Sequence, residues 1–179
     1  MSQLVILGRD GVVNQVVEGG VLSPEDFQAI PGSLEAIARL NHAGLRIAVA
    51  TNQPGIARSL LDIETLDAIH SHLQQLLARV GGHLDGIFIC PHDSTEKCDC
   101  HKPATGLLQA ISERFSSPLG ETPFIGDDLA DMEAARRAGA IPMLVRSGQG
   151  IATLKRLQDP ESVFVSEDLA HAVEHLLNQ

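Results

Sequence analysis

Short hydrophobic runs alternate along the chain with longer segments in which hydrophobic residues recur at helical spacing. The short runs are rich in Val, Ile and Leu, as buried strands are. The predicted strands lie near residues 3–7, 45–50, 86–90, 122–126, 141–145 and 162–166. The predicted helices lie near residues 33–43, 63–80, 105–115, 128–138 and 167–177. This alternation predicts an α/β fold, a doubly wound parallel sheet covered by helices.

The chain shows no internal repeat and no polar linker, so we predict a single domain over residues 1–179. The segment 15–32 contains Gly19-Gly20 and two prolines, which predicts an irregular flap between the first strand and the first helix. Ligands of open parallel sheets bind outside the carboxyl ends of the strands. Polar residues that follow the strands are therefore the first candidates for a functional site.

Composition argues against several classes of function. The 13 basic and 23 acidic residues give a net charge of -10, which repels nucleic acid and anionic membranes. Aromatic residues make up 3% of the chain, with no Trp or Tyr, so there are almost no residues to form a base-stacking surface. We therefore expect no nucleic-acid or membrane partner. The N-terminal apolar run is too short for a signal peptide and no stretch reaches membrane-spanning length, which predicts a cytoplasmic protein.

Polar side chains follow the first two predicted strands. Asp10 lies between two glycines, which permit a tight turn and close approach of backbone N–H groups to an anion. The alternative for Asp10 is an ordinary Asp-Gly turn. The second strand ends in a hydroxyl and two amides, Thr51, Asn52 and Gln53. These neutral groups suit phosphate oxygens, although a polar loop without function has the same composition.

Two further segments carry charge near predicted strand ends. Lys102 stands just before a predicted helix, where a cation suits an anionic ligand, and a surface lysine is the alternative. The fourth strand is followed by three carboxylates, Asp127, Asp128 and Asp131. Such oxygen ligands suit Mg²⁺, which also binds water and substrate phosphate. The alternative for Asp127 or Asp128 is a role as the N-cap of the next helix.

All three cysteines fall in one short window with the spacing C-x-H-x₅-C-x-C. The window offers three thiolates and one imidazole, from Cys90, His92, Cys98 and Cys100. This donor set suits tetrahedral Zn²⁺, and four protein ligands leave no open position for catalysis. We therefore predict a structural zinc site. Free thiols are the alternative.

The order of these residues resembles the haloacid dehalogenase superfamily of phosphotransferases. The order is an Asp after the first strand, Thr-Asn after the second, a Lys, and then Gly-Asp-Asp-x-x-Asp. Longer strings resemble one branch, the D-glycero-D-manno-heptose 1,7-bisphosphate phosphatases, with the histidinol phosphatases as relatives. These strings are Ala50-Thr51-Asn52-Gln53, Gly55-Ile56-Ala57-Arg58, Cys90-Pro91-His92 and Lys102-Pro103. The resemblance implies a Rossmann-like haloacid dehalogenase core with a zinc-binding loop. No insertion is long enough for a large cap domain.

The resemblance implies an Mg²⁺-dependent phosphatase that acts on a small phosphorylated sugar. In such enzymes an Asp two positions before the acid/base Asp forms an aspartyl phosphate, which water hydrolyses. In this chain the acid/base is then Asp10, and Asp10 and Asp127 bind Mg²⁺, with Asp128 and Asp131 as further candidates. The implied substrate and phosphate ligands are Thr51, Asn52, Gln53, Arg58, His101 and Lys102. The nucleophile position is Gly8.

Four positions depart from the resembling phosphatases. Gly8 removes the nucleophile and one Mg²⁺ ligand, and loss of a covalent nucleophile lowers turnover on the order of a millionfold. At three further positions the residue differs. Pro54 replaces a serine and loses a hydrogen-bond donor, and His101 replaces an arginine and loses a permanent cation. Ser59 replaces a glycine. One alternative is a pseudophosphatase that only binds a phosphorylated ligand or partner. A second alternative is a histidinol phosphatase. A third is an enzyme in which Asp10 attacks phosphorus directly or activates a water molecule.

The C-terminal segment His171-Ala172-Val173-Glu174-His175 matches the H-x-x-E-H pattern of some zinc peptidases. Only four residues follow it, so no downstream third ligand exists. We expect these histidines on the surface of the last helix, and His70 and His72 on the surface as well. We also expect a monomer.

Overall fold

The computed structural model describes residues 3–178, in which six parallel strands form one sheet. The strands are β1 (Leu4–Leu7), β2 (Arg46–Asn52), β3 (Gly86–Cys90), β4 (Pro123–Gly126), β5 (Ile141–Val145) and β6 (Phe164–Ser166). Their order across the sheet is β3-β2-β1-β4-β5-β6. The chain turns from one side of β1 to the other after β3. A ligand crevice is therefore expected at the carboxyl ends of β1 and β4.

Helices cover both faces of the sheet. They are α1 (Ser33–His42), α2 (Ile63–Arg79), α3 (Gly106–Phe115), α4 (Leu129–Ala138), α5 (Gly150–Arg156) and α6 (Leu169–Leu177). Alternate residues of β1 point to opposite faces: Val5 packs in the core under α1, α2 and α6, and Leu4 packs in the core under α3 and α4. These two cores confirm the predicted doubly wound arrangement.

The predicted elements are confirmed, with ends that differ by two residues at most. The sequence did not predict α5, a helix of seven residues with no side-chain cap at its N-cap, Gln149. Residues 15–32 form the predicted irregular flap, which contains only a 3₁₀ turn at Pro24–Asp26 and an isolated bridge between Asn14 and Ala29. Val21 and Phe27 are buried and fix the flap to the core.

The loops that follow β1 to β5 meet at the carboxyl edge of the sheet, where they bring distant polar residues together. Among residues 3–178 the connection between β1 and α1, which contains the flap, is the longest, and it is too short for a large cap domain. Within the same range, no helix combines the length and the apolar character needed to cross a bilayer.

Candidate active site

Asp10 lies just beyond β1, and three side chains hold its carboxylate. Its Oδ1 accepts hydrogen bonds from Arg9 Nη2 and Asn14 Nδ2, both at 3.0 Å, and its Oδ2 accepts one from Gln53 Nε2 at 3.2 Å. Gln53 Nε2 also donates to Thr51 Oγ1 at 2.9 Å. Burial works to raise the pKa of Asp10, but the Arg9 charge and the hydrogen bonds hold it below its usual value. The polar residues after β1 and β2 therefore meet.

Arg9 is a buried cation whose role the sequence did not reveal. Its side chain is inaccessible to solvent, and its Nη1 lies 3.0 Å from His70 Nε2. Because arginine stays protonated, Arg9 donates and His70 accepts, so the neutral ring carries its proton on Nδ1. Burial, and then the Arg9 charge, lowers the pKa of His70 to about 4. The prediction that His70 lies on the surface is wrong, because its ring is the buried partner of this guanidinium.

Asp127 is buried at the end of β4, between the loops that follow β1 and β5. Its Oδ2 accepts a hydrogen bond from the Gln149 backbone N–H at 2.8 Å. Gly11 and Gly148 have positive φ, and a Cβ at either position would collide with Asp127 Oδ2, so glycine is required at both. Ser147 Oγ donates to Gly11 O at 2.7 Å and joins the two loops. The turn 146–149 was not among the predicted site segments, although it follows a predicted strand just as the other candidates do.

The three carboxylates after β4 form a cluster in which their oxygens lie within 4.8 Å of one another. Asp128 is the N-cap of α4, and its Oδ1 accepts a hydrogen bond from Asp131 N at 2.7 Å. Burial, and then the charge of Asp131, raises the pKa of Asp127 to about 8 and that of Asp128 to about 6. A divalent cation would relieve this repulsion, and the oxygen donors fit Mg²⁺.

Lys102 brings a positive charge to this carboxylate cluster. Its Nζ donates to Asp131 Oδ1 at 2.6 Å and to Ala50 O at 2.9 Å, and both charged side chains are buried. Burial works against the ammonium, but Asp131 and the neighbouring carboxylates raise the pKa of Lys102 above its usual value. Asn52 fixes the Lys102 backbone, because its Nδ2 donates to Lys102 O at 3.1 Å and its Oδ1 accepts from Lys102 N at 3.0 Å.

Gly8 lies between Asp10 and the carboxylate cluster. Its backbone N–H donates to Ile125 O at 2.9 Å and so ties the end of β1 to β4. A Cβ at this position would lie 3.2 Å from Val12 Cγ2 and 3.3 Å from Asp131 Oδ2. Both separations are tighter than ordinary van der Waals contact, so a side chain here would face the carboxylates and require a small shift of its neighbours.

The cysteine window forms the second metal-ligand cluster. Ligand atoms of Cys90, His92, Cys98 and Cys100 lie within 4.8 Å of one another, and all three cysteines are free of disulfides. Cys90 Sγ lies 3.6 Å from His92 Nδ1 and 3.1 Å from Cys100 Sγ. The His101 N–H donates to Cys98 Sγ at 3.3 Å and lowers the pKa of that thiol to about 7. The donor set and its compactness fit Zn²⁺.

His101 turns toward this cysteine cluster. Its Nδ1 lies 3.2 Å from His92 O and 3.7 Å from Cys90 Sγ. In the contacts described, the ring therefore supports the cluster from outside, whereas the sequence predicted it among the phosphate ligands. The adjacent Lys102, by contrast, points to the carboxylates.

A cavity of about 290 Å³ opens beside Asp10. The flap supplies one wall with residues 19–22, and the loop after β2 supplies the other, including Asn52, Gln53 and Pro54. Arg58 also lines this cavity and forms an ion pair with Asp93 of the cysteine window. The cavity is therefore bounded by the flap and by a loop that contacts the cysteine window.

The histidines of the H-x-x-E-H pattern have other contacts. His171 Nδ1 lies 2.7 Å from Asp168 Oδ1, at the N-cap of α6. The His175 ring stacks on Phe164 with centroids 3.8 Å apart. In the part of the chain that the structure describes, the groups suited to a metal are the cysteine window and the Asp127 cluster. These contacts favour the expected surface role for the two histidines.

Comparison with known proteins identifies relatives over nearly the whole chain. A family model described as HAD-hydrolase-like matches residues 99–172. The D-glycero-beta-D-manno-heptose-1,7-bisphosphate 7-phosphatase of Bordetella bronchiseptica is 46% identical over 177 residues, which covers 99% of each chain. The protein of the same name from Pseudomonas putida is 43% identical over 98% of this chain and 99% of its own.

A solved structure agrees with these relatives. The D,D-heptose 1,7-bisphosphate phosphatase of B. bronchiseptica, crystallised with magnesium and phosphate, superposes with a TM-score of 0.95. Its identity to this chain is 47%, and the match covers 98% of both chains. The likeness therefore extends over the whole sheet, the flap and the cysteine window.

Proposed function

The chain belongs to the D-glycero-beta-D-manno-heptose-1,7-bisphosphate 7-phosphatase family of haloacid dehalogenase-like hydrolases, and we propose that it binds a heptose bisphosphate with Mg²⁺. We further propose that Thr51 and Lys102, which bind the reacting phosphate, are retained and that the covalent step is impaired at Gly8. The observation that carries the proposal is the placement of Gly8. A Cβ there would face Asp131, whose carboxylate pairs with Lys102 and belongs to the same cluster as Asp127.

Each charged residue has a separate part in the proposed reaction. Lys102 and the Thr51 hydroxyl bind oxygens of the reacting phosphate, and Asn52 holds the Lys102 backbone in place. Asp10 transfers protons to the leaving group and from the attacking water. Asp10 and Asp127 would hold Mg²⁺, which when bound would neutralise charge on the phosphate.

Position 8 is where a carboxylate would attack phosphorus and form the aspartyl phosphate. Glycine offers no such group, and activation of water by Asp10 is weakened because three hydrogen bonds and a low pKa reduce its basicity. Turnover should fall on the order of 10⁵- to 10⁶-fold below that of an enzyme with the nucleophile.

A second candidate function is ligand binding without turnover. The close packing around Gly8 favours it, because a Cβ there would already lie 3.2 Å from Val12 Cγ2 and a carboxylate would face that of Asp131. Histidinol phosphate is the alternative substrate of the wider family.

Four features remain predictions. They are a single domain over residues 1–179, the monomeric state, the cytoplasmic location and the absence of nucleic-acid and membrane partners.

The test compares the natural chain with Gly8→Asp and, as a size-matched control, Gly8→Asn. Phosphate release is measured with heptose 1,7-bisphosphate, histidinol phosphate and p-nitrophenyl phosphate in the presence of Mg²⁺. We expect binding of heptose bisphosphate by the natural chain in calorimetry, very slow release, and a gain of at least about 10³-fold in Gly8→Asp alone.

Three results would change the proposal. Equal activity of the natural chain and Gly8→Asp would show that catalysis does not need the nucleophile position. Binding without any gain in Gly8→Asp would favour the binding protein. Failure of the natural chain to bind heptose bisphosphate more tightly than inorganic phosphate would refute the proposed ligand.

A further inference from the structure

Arg58 is held at the edge of the ligand cavity by a residue outside it. Its Nε donates to Asp93 Oδ2, across 35 residues of sequence. This contact occupies Nε and leaves the two terminal nitrogens, Nη1 and Nη2, for other acceptors. Those two nitrogens form the planar edge that binds a phosphate bidentately.

Asp93 is itself fixed within the cysteine window, by its other carboxylate oxygen and its backbone. Its Oδ1 accepts hydrogen bonds from Thr95 N at 3.1 Å and Thr95 Oγ1 at 3.2 Å, and its own N–H donates to Glu96 Oε2 at 3.0 Å. The Arg58 guanidinium forms an ion pair with this carboxylate through Oδ2. One oxygen thus anchors the carboxylate and the other orients the guanidinium.

The backbone supports the same geometry. Gln53 N donates to Cys90 O at 2.8 Å, and Ala57 N donates to Pro91 O at 3.1 Å. The segment 53–58 is therefore attached to the start of the cysteine window on both sides of Pro54. Arg58 follows directly and reaches Asp93 from a backbone that is already placed.

A ligand with two phosphates needs a cation at a distance from the reacting phosphate. Lys102 is buried with Asp131, whereas Arg58 has a half-exposed side chain that lines the same cavity as Asp10. We propose that Asp93 is a positioning residue for substrate binding: it orients Arg58 so that the terminal guanidinium edge binds the second phosphate. The inference rests on the proposed function, because it assumes a bisphosphate ligand.

The expected gain in ligand affinity comes from fixing the flexible Arg58 side chain before the ligand binds. An arginine that must be immobilised on binding lowers affinity by an amount that corresponds to about three- to tenfold in Kd. Asp93 also brings a negative charge near an anionic ligand, which opposes binding. This term is weakened by solvent, since the Arg58 side chain is 52% exposed.

The test measures Kd values by calorimetry for Asp93→Asn, Asp93→Glu and Glu96→Gln, all loaded with zinc and Mg²⁺. The ligands are heptose 1,7-bisphosphate, the 1-phosphate and 7-phosphate monoesters, and inorganic phosphate. Asp93→Asn keeps an acceptor for Thr95 but loses the ionised partner of Arg58. Glu96→Gln removes one charge from the same loop and keeps an acceptor for Asp93 N, so it isolates the effect of loop charge.

We expect Asp93→Asn to weaken heptose bisphosphate binding about three- to tenfold and to change inorganic phosphate binding less than twofold. Asp93→Glu should recover part of the loss, and Glu96→Gln should match the natural chain. Zinc content should be unchanged in all variants, which separates positioning from damage to the metal site.

Other outcomes overturn the inference in different ways. Tighter bisphosphate binding by Asp93→Asn would mean that Asp93 competes with the ligand for Arg58. Unchanged bisphosphate binding, or an equal loss for bisphosphate and inorganic phosphate, would mean that Asp93 does not act through a second phosphate. In each of these cases the natural chain still binds heptose bisphosphate, so the proposed function stands. If the natural chain does not bind heptose bisphosphate, both the proposed function and this inference are wrong.

Discussion

Arg9 Nη1 lies 3.0 Å from Nε2 of His70, so a permanent cation and a neutral imidazole share the interior beside Asp10. Protonation of His70 would remove the acceptor and place two cations in contact. Burial and the Arg9 charge accordingly lower the pKa of His70 to about 4, from 6.5. The Arg9 guanidinium in turn donates to Asp10, so this pair helps to orient the candidate acid/base.

This pair predicts a pH dependence of stability. Between pH 6.5 and about 4 the unfolded chain binds a proton at His70 that the folded chain does not, so stability falls as pH falls. His70→Gln keeps an acceptor for Arg9 and does not titrate. From pH 7 to pH 5 the free energy of unfolding, measured in urea, should fall by about 2 kcal/mol more for the natural chain than for this variant. His72→Gln, two residues away, should keep the natural slope; if His70→Gln keeps it too, the burial of a neutral His70 is wrong.

Asp127 and Asp128 are adjacent carboxylates with different predicted roles. Asp128 caps α4, and asparagine is an equally good cap, so Asp128→Asn should retain the helix and change the Kd for Mg²⁺ less than about threefold. Asp127→Asn should raise that Kd at least about tenfold, because it removes a carboxylate that is held rigidly between Gly11 and Gly148. Both variants replace one carboxylate by an amide, so equal losses in Mg²⁺ titrations would show that the cluster binds the metal collectively.

Removal of one zinc ligand should loosen the ligand cavity and preserve the sheet. The natural chain should bind about one zinc ion at saturation. Cys98→Ser should raise the Kd for zinc at least about 100-fold. Hydrogen exchange should then accelerate in residues 53–58, which bond to Cys90 and Pro91, while β1 and β4 remain protected. His171→Ala is the control and should retain zinc, because its ring pairs with Asp168. Zinc loss in His171→Ala would instead favour metal binding by the H-x-x-E-H segment.

Ser59 adopts a left-handed backbone, with φ 57°, where a glycine would be unstrained. A side chain in this region costs about 1 kcal/mol, so Ser59→Gly should raise the free energy of unfolding by up to that amount. Ser94→Gly, at a loop position outside the left-handed region, should give no gain. A gain at both positions would point to a general effect of glycine in these loops.

The fold was largely predictable because its signals are local. Hydrophobic periodicity identified every strand and all helices except α5, whose seven residues contain too short an apolar pattern. The rule that ligands bind at the carboxyl ends of parallel strands then selected Asp10, Thr51, Lys102 and Asp127, which the structure brings together. The same rule also points to Ser147 and Gly148, which follow β5.

The sequence by itself determined the order of the elements, the chemistry at each strand end and the Cys/His cluster suited to zinc. These features depend on residues close together in the chain, and all four candidate zinc ligands lie between Cys90 and Cys100. Only the tertiary structure decided which distant groups become partners. The pairs Arg9–His70, Arg58–Asp93 and Lys102–Asp131 are 61, 35 and 29 residues apart. They form because packing of helices and loops on the sheet buries or confines a charge, and that charge then requires the nearest suitable acceptor or counter-ion.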